Sequence, residues 1–149
     1  MTNQELVLDM IKAQGKADAL NLRSRAIDMD GTAIIAEERK IPSFDSSKDY
    51  TNWPVNSPVH DEGQVWILLQ PHNASHYDGR PSSLRAMWGL AHTKDALKAK
   101  PYVAPYGTSG LYMIDECCMW TDGKVYKSII DNNAYDPEAY PAGWELIGE

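Results

Sequence analysis

Apolar residues recur at alternating spacings of four and three through the first part of the chain: Leu6, Met10, Ala13, Ala17, Leu20 and Ile27, with Ser24 between the last two. Side chains at such spacings share one face of a helix, so the pattern predicts an amphipathic helix with an a/d seam. Val7 and Ile11 widen the seam at its start; the alanines and Gly15 thin it in the middle. Thr2 followed three residues later by Glu5 is a capping box and places the helix start at once. The seam has two readings. It packs on its own module or a neighbouring helix, or it joins copies of the chain into a homo-oligomer, taken as a trimer. Asp30-Gly31-Thr32 marks a break and a new N-cap, and residues 33–39 form a second short helix stopped by Pro42.

Beyond residue 42 the helical period disappears. Residues 43–56 are rich in turn formers, and Phe44 and Trp53 are expected to be buried where this segment docks. Residues 55–60, interrupted by Pro58, make a poor or edge strand, and residues 64–69 make the best strand of the region. Thr93 can cap a single helical turn that Pro101 ends. Residues 111–119, the Asp122-Gly123 hairpin signal, residues 125–130 and residues 144–147 then complete a second set of strands. The expected organisation is a helical segment 1–42, a β module 43–92, a linker 93–105 and a second β module 106–149. The fold class is α+β, a short N-terminal helical segment followed by two small antiparallel β modules in tandem.

The two modules read as copies of one plan. Gly63 matches Gly123, Val65 matches Val125, Trp66 matches Tyr126, Leu69 matches Ile129, Asn73 matches Asn133 and Ala74 matches Ala134, all at one constant offset. Trp88 then matches Trp144 after a small deletion. The runs Gly63-Gln64-Val65-Trp66, Leu69-Gln70-Pro71-His72-Asn73 and Met87-Trp88-Gly89-Leu90 resemble the small chitin-binding modules of bacterial chitinases. They resemble still more the tandem copies of that module in phage and prophage structural proteins. Asp122-Gly123-Lys124-Val125-Tyr126, Tyr135-Asp136-Pro137 and Gly143-Trp144 carry the same resemblance in the second copy. It implies a virion protein whose helical end anchors or oligomerises, and whose modules use the closing-strand aromatics, Trp88 and Trp144, toward sugar. Module one departs from the family around Tyr77-Asp78-Gly79-Arg80-Pro81, where the Trp-acid-Pro element is replaced and spread out.

Composition narrows the function. Net charge is −7 and no basic block is present, which excludes nucleic acid as the main partner. No apolar run reaches the length of a membrane span and no signal peptide is visible, so a membrane is not a partner and synthesis in a host cytoplasm is expected; the virion as its destination is what the resemblance implies. Five Trp and eight Tyr stand beside one Phe. Trp and Tyr carry a polar handle and suit half-exposed surfaces, including the apolar C–H faces of sugars. The glycan-stacking candidates are Trp88 and Tyr77 with Asn73, and Trp144 and Tyr135 with Asn133; His72, Asp78, Asn132 and Asp136 lie close by in sequence. The competing reading makes Trp88 and Trp144 core or protein contacts, because modules this small have little other core; Trp66 and Tyr126 read as core. The adjacent Cys117 and Cys118 point to opposite faces of a strand and cannot serve one metal; a vicinal disulfide is the alternative to two thiols. His72 and His76 fall in a loop rather than on a helix, so no metal site is expected. No catalytic motif and no cofactor fingerprint is present. Three functions follow: a non-enzymatic virion protein that attaches to host-surface polysaccharide alongside other virion proteins; a purely structural capsid decoration or tail connector; or the binding accessory of a glycan hydrolase.

Overall fold

In the computed structural model, which describes residues 2–148, helix α1 (Asn3–Arg25) starts at the expected capping box. Glu5 N–H donates to Thr2 Oγ1 at 3.1 Å and Thr2 N–H donates to Glu5 Oε2 at 3.0 Å. Its 23 residues make a rod of about 35 Å. Only Ala19 and Leu22 of α1 are buried, so its first four turns project into solvent. A tight turn through Ala26–Asp28 leads to helix α2 (Gly31–Ala36), capped by Asp30, whose Oδ1 accepts from Ala33 N at 2.8 Å. The second helix therefore begins earlier than residues 33–39, because Asp30 itself supplies the cap, and past Glu37 it tightens into a 3-10 turn over Glu38–Lys40. Gly31 lets α2 approach the backbone at His92: a methyl group there would overlap the His92 carbonyl.

Two sheets follow. In the first, β1 (Pro58–Asp61), β2 (Gln64–Leu68) and β3 (Trp88–Leu90) pair antiparallel in that order. Side chains alternate along β2. Val65 and Ile67 meet Leu22, Ala26, Ile34 and Ile35 under the helical cap. Trp66 and Leu68 meet Tyr50, Val59, Trp88 and Leu90 on the other face. Pro58 stands at the first position of edge strand β1, where the missing N–H costs no ladder bond. The second sheet orders β4 (Lys100–Pro101), β5 (Cys117–Met119), β6 (Val125–Ser128) and β7 (Trp144–Gly148), with β4 parallel to β5 and the rest antiparallel. The chain is thus α+β, an N-terminal helical segment followed by two small, mostly antiparallel sheets. No helix among the described residues is long and apolar enough to cross a membrane.

The modules match register for register. Val59 faces Trp66 as Cys118 faces Tyr126, and Leu68 faces Trp88 as Ser128 faces Trp144. Asn56 and Asp115 both take positive φ (76° and 74°), and both donate their N–H across the turn, to Leu68 and Ser128 carbonyls at 2.7 Å. Glu62 and Gly63 form a two-residue turn with both φ positive, the geometry that suits a twisted hairpin; Gly123 supplies the same left-handed conformation in module two. A buried tyrosine sits edge-on to each closing tryptophan: Tyr50–Trp88 at 5.3 Å and Tyr112–Trp144 at 5.2 Å between ring centroids.

Two expectations need correction. Residues 93–105 are not a simple linker: β4 lies in this stretch and pairs with β5, Thr93 bridges Cys117, and Gln64 Nε2 donates to Pro101 O at 2.8 Å. The pairing uses backbone groups of only two strand residues, which leave no side-chain pattern. Nor do residues 111–119 form one strand; the chain turns at Ile114 and at Asp115, with its positive φ, and only Cys117–Met119 extends. Both cysteines are buried free thiols, and burial raises Cys118 to about 12.

Candidate functional site

Trp88 is fully buried, against Phe44, Tyr50 and His72, and its indole N–H has no acceptor. Trp144 is 6% exposed, and its N–H donates to Tyr135 O at 3.0 Å. Neither ring offers a face to a sugar, which corrects their assignment as stacking platforms and bears out the competing reading of them as core. The physical reason is size: each sheet is three or four short strands, and the closing tryptophan supplies much of the apolar area its core needs. Trp66 is core as expected, whereas Tyr126 is half-buried with its hydroxyl on Asp122 Oδ2 at 2.7 Å.

The polar candidates close loops. Asn133 is fully buried: its Nδ2 donates to Ser128 Oγ and Gly143 O, both at 3.1 Å, and its Oδ1 accepts from Tyr135 N at 3.2 Å. It is removed as a ligand contact by the same burial. Asn73 is half-buried and holds a local turn through Ser75 N and Oγ. Asp136 Oδ1 caps Glu138 and Ala139 N–H groups. His72 is buried with Nδ1 against Gln70 O at 2.8 Å, while Asp78 and Asn132 are exposed. The aromatics that remain exposed among the described residues are Tyr77 in module one, and Tyr106 and the Tyr135–Tyr140 pair in module two, the pair 5.5 Å apart and edge-on, with Tyr106 64% and Tyr135 57% exposed.

The seam residues stay bare. Leu6, Met10, Leu20 and Ile27 are each at least half exposed, and Ala13 and Ala17 are exposed beside them. At about 100° per residue the seam lies roughly opposite the face on which Ala19 and Leu22 dock. Val7, Leu8 and Ile11 extend it around most of the helix tip. The inner end of α1 is fixed by a bidentate pair from Arg25 to Glu37, at 2.8 and 3.0 Å, with Lys40 on the same carboxylate. These two cations hold the Glu37 carboxyl down to about 2.

Two of the surface concavities gather titratable side chains. One, of about 360 Å³, lies between α2, the end of the first sheet and module two, and includes Asp30, His92 and Glu116. Burial pushes His92 down to about 4 and raises Glu116. Each is tied to backbone, His92 Nε2 to Gly110 O at 3.0 Å and Glu116 Oε1 to Met113 N at 2.7 Å. The other is a groove of about 660 Å³ between α1 and module one, lined by Lys12, Lys16, Arg23, Lys48 and Trp53. Sequence reasoning missed it. The four-three-four spacing of Lys12, Lys16, Ala19 and Arg23 signals one helix stripe, but nothing in the sequence places Lys48 and Trp53 opposite that stripe. No group of three or more His, Cys, Asp or Glu among the described residues is arranged to hold a metal ion. Comparison of the chain with protein-family models and with curated proteins returned no match.

Proposed function

We propose that the chain is a non-enzymatic structural protein of a phage or prophage particle: helix α1 joins three copies, and the paired β modules are displayed for weak, multivalent attachment to host-surface glycan. The observation that carries this reading is the bare apolar tip of α1. Leu6, Val7, Leu8, Met10 and Ile11 spread around more than half of the helix and are each half or more exposed. A helix that is apolar on most sides is a buried helix. Covering each side chain is worth about 1.5–3 kcal/mol, against an association cost of about 4–15 kcal/mol. One partner helix covers one side of such a tip; a three-helix bundle covers most of it, which favours the trimer.

The resemblance of both modules to virion carbohydrate-binding modules supports the setting. Millimolar single sites suffice when three copies, each with two modules, act together. Since both closing tryptophans are buried, attachment falls to the accessible surface, including Tyr77 and Tyr135. The burial of Trp88 and Trp144 also favours a second reading, a purely structural capsid decoration or tail connector. Retention on host cell walls separates the two. The attachment reading expects wild-type protein to be retained and a folded Tyr77→Ala, Tyr135→Ala variant to be retained less. No retention of wild type at high protein density leaves the purely structural role.

A further inference from the structure

The groove between α1 and module one gathers four cations in a protein whose net charge is −7. Lys12, Lys16 and Arg23 descend one stripe of α1, and Lys48 faces them from the loop that carries Trp53. The Arg23 guanidinium lies 4.0 Å from the Trp53 ring centroid and the Lys48 ammonium 5.4 Å from it. Among the described residues none of the four forms an ion pair with an acid, whereas Arg25 is paired with Glu37 and Arg80 with Asp61. Burial lowers the pKa of Arg23, so its charge is partly stripped of water before any ligand arrives. Four cations without a close ion-pair partner, two of them over an indole, make this concavity a site for an anion.

We infer that this groove binds an acidic glycan, a sugar chain bearing carboxylate or phosphate groups, between the Lys12–Lys16–Arg23 stripe of α1 and Lys48. Its lining matches that chemistry better than a polyanion without hydroxyl groups. Asp45 and Ser43 also face the groove. A carboxylate and a hydroxyl there accept hydrogen bonds from sugar hydroxyls, groups that a polyglutamate chain lacks. Arg23 and Lys48 both lie over the Trp53 ring, in competition with a nucleic-acid base for that platform. Outside the groove the protein is acidic, with eight Asp and Glu against two Lys over residues 106–149, so a long nucleic acid meets repulsion beyond the site. The inference rests on the attachment reading and gives it a ligand class and a location.

Gly15 provides a clean test. It lines the groove, and a Cβ there meets nothing within 4 Å. Gly15→Glu therefore places a carboxylate in the groove while improving helix propensity. Binding of fluorescently labelled oligogalacturonate, and of a poly(glycerol phosphate) oligomer in a parallel arm, is followed by anisotropy on the full chain. The expected result is binding that weakens as salt rises, is absent for neutral dextran, and falls about tenfold in Gly15→Glu and in Lys12→Gln, Lys16→Gln. The stronger of the two anionic arms identifies the charged group. Circular dichroism should show helix content in Gly15→Glu at or above wild type. No binding to either anionic oligomer, equal binding by Gly15→Glu, or equal affinity for polyglutamate or single-stranded DNA overturns the inference. Undiminished retention of Gly15→Glu on host walls would leave attachment standing and take this groove out of it.

Discussion

Asn73 and Asn133 occupy matching places in the two modules, yet their side chains carry different weight. Asn133 makes three hydrogen bonds from a fully buried position, while Asn73 holds one local turn at half burial. Asn133→Ala is expected to cost about 2–4 kcal/mol and Asn73→Ala about 1 kcal/mol, measured by urea unfolding. His92 gives a second prediction. It is buried, stacked on Tyr112 at 3.7 Å, and its pKa is pushed down to about 4 from the ordinary 6.5. The unfolded chain therefore binds a proton that the folded chain refuses between pH 6.5 and 4. The contribution of neutral His92 is complete above pH 6.5 and is lost as pH falls toward 4, on the order of 3 kcal/mol at the bottom of that window. Unfolding free energy measured across this range should fall in wild type and fall less in His92→Gln. Side-chain roles of this kind were not legible in the sequence. Trp88 and Trp144 have the residue type of a sugar platform and of a core equally, and only the geometry around Tyr50 and Tyr112 separates the two.

At the scale of elements, α1 is held by its last turns alone. Glu37, with its pKa held near 2, pairs with Arg25 and Lys40. A depressed carboxyl pKa stabilises fully above its ordinary value of 4.5 and ceases to do so as pH falls through 2. The anchoring of α1 should weaken over that acid range. Glu37→Gln should show the loss at neutral pH, about 1 kcal/mol or less because the pair is partly exposed. Amide hydrogen exchange along α1 reads both effects. Gly15→Ala, whose Cβ meets nothing, should stabilise the helix by about 0.5–1 kcal/mol in thermal melts followed at 222 nm. The helix itself was legible: Thr2 and Glu5 announced its start and the Leu6-to-Leu20 spacing announced one apolar face, though not that its own chain leaves that face uncovered. Strand β4 was not, because two residues paired through backbone leave no period to read.

At the scale of the molecule, the tandem repeat was the most legible feature. The constant offset from Gly63/Gly123 to Asn73/Asn133 reappears as matching strand registers around Trp66 and Tyr126. The matching of Tyr50 with Tyr112 was hidden, because the chain between tyrosine and first strand differs in length between the copies. The join between modules was also hidden, since His92 on Tyr112 and Gln64 on Pro101 bring together residues from stretches read as separate. What the whole molecule leaves uncovered is the tip of α1, and the proposed role depends on three copies covering it. Sedimentation velocity over a range of concentrations tests this most directly, comparing wild type with Leu6→Lys, Met10→Lys. The account predicts a trimer for wild type and a monomer with unchanged β-sheet circular dichroism for the variant. A wild-type monomer at every concentration, or a variant that keeps the wild-type size, would contradict it.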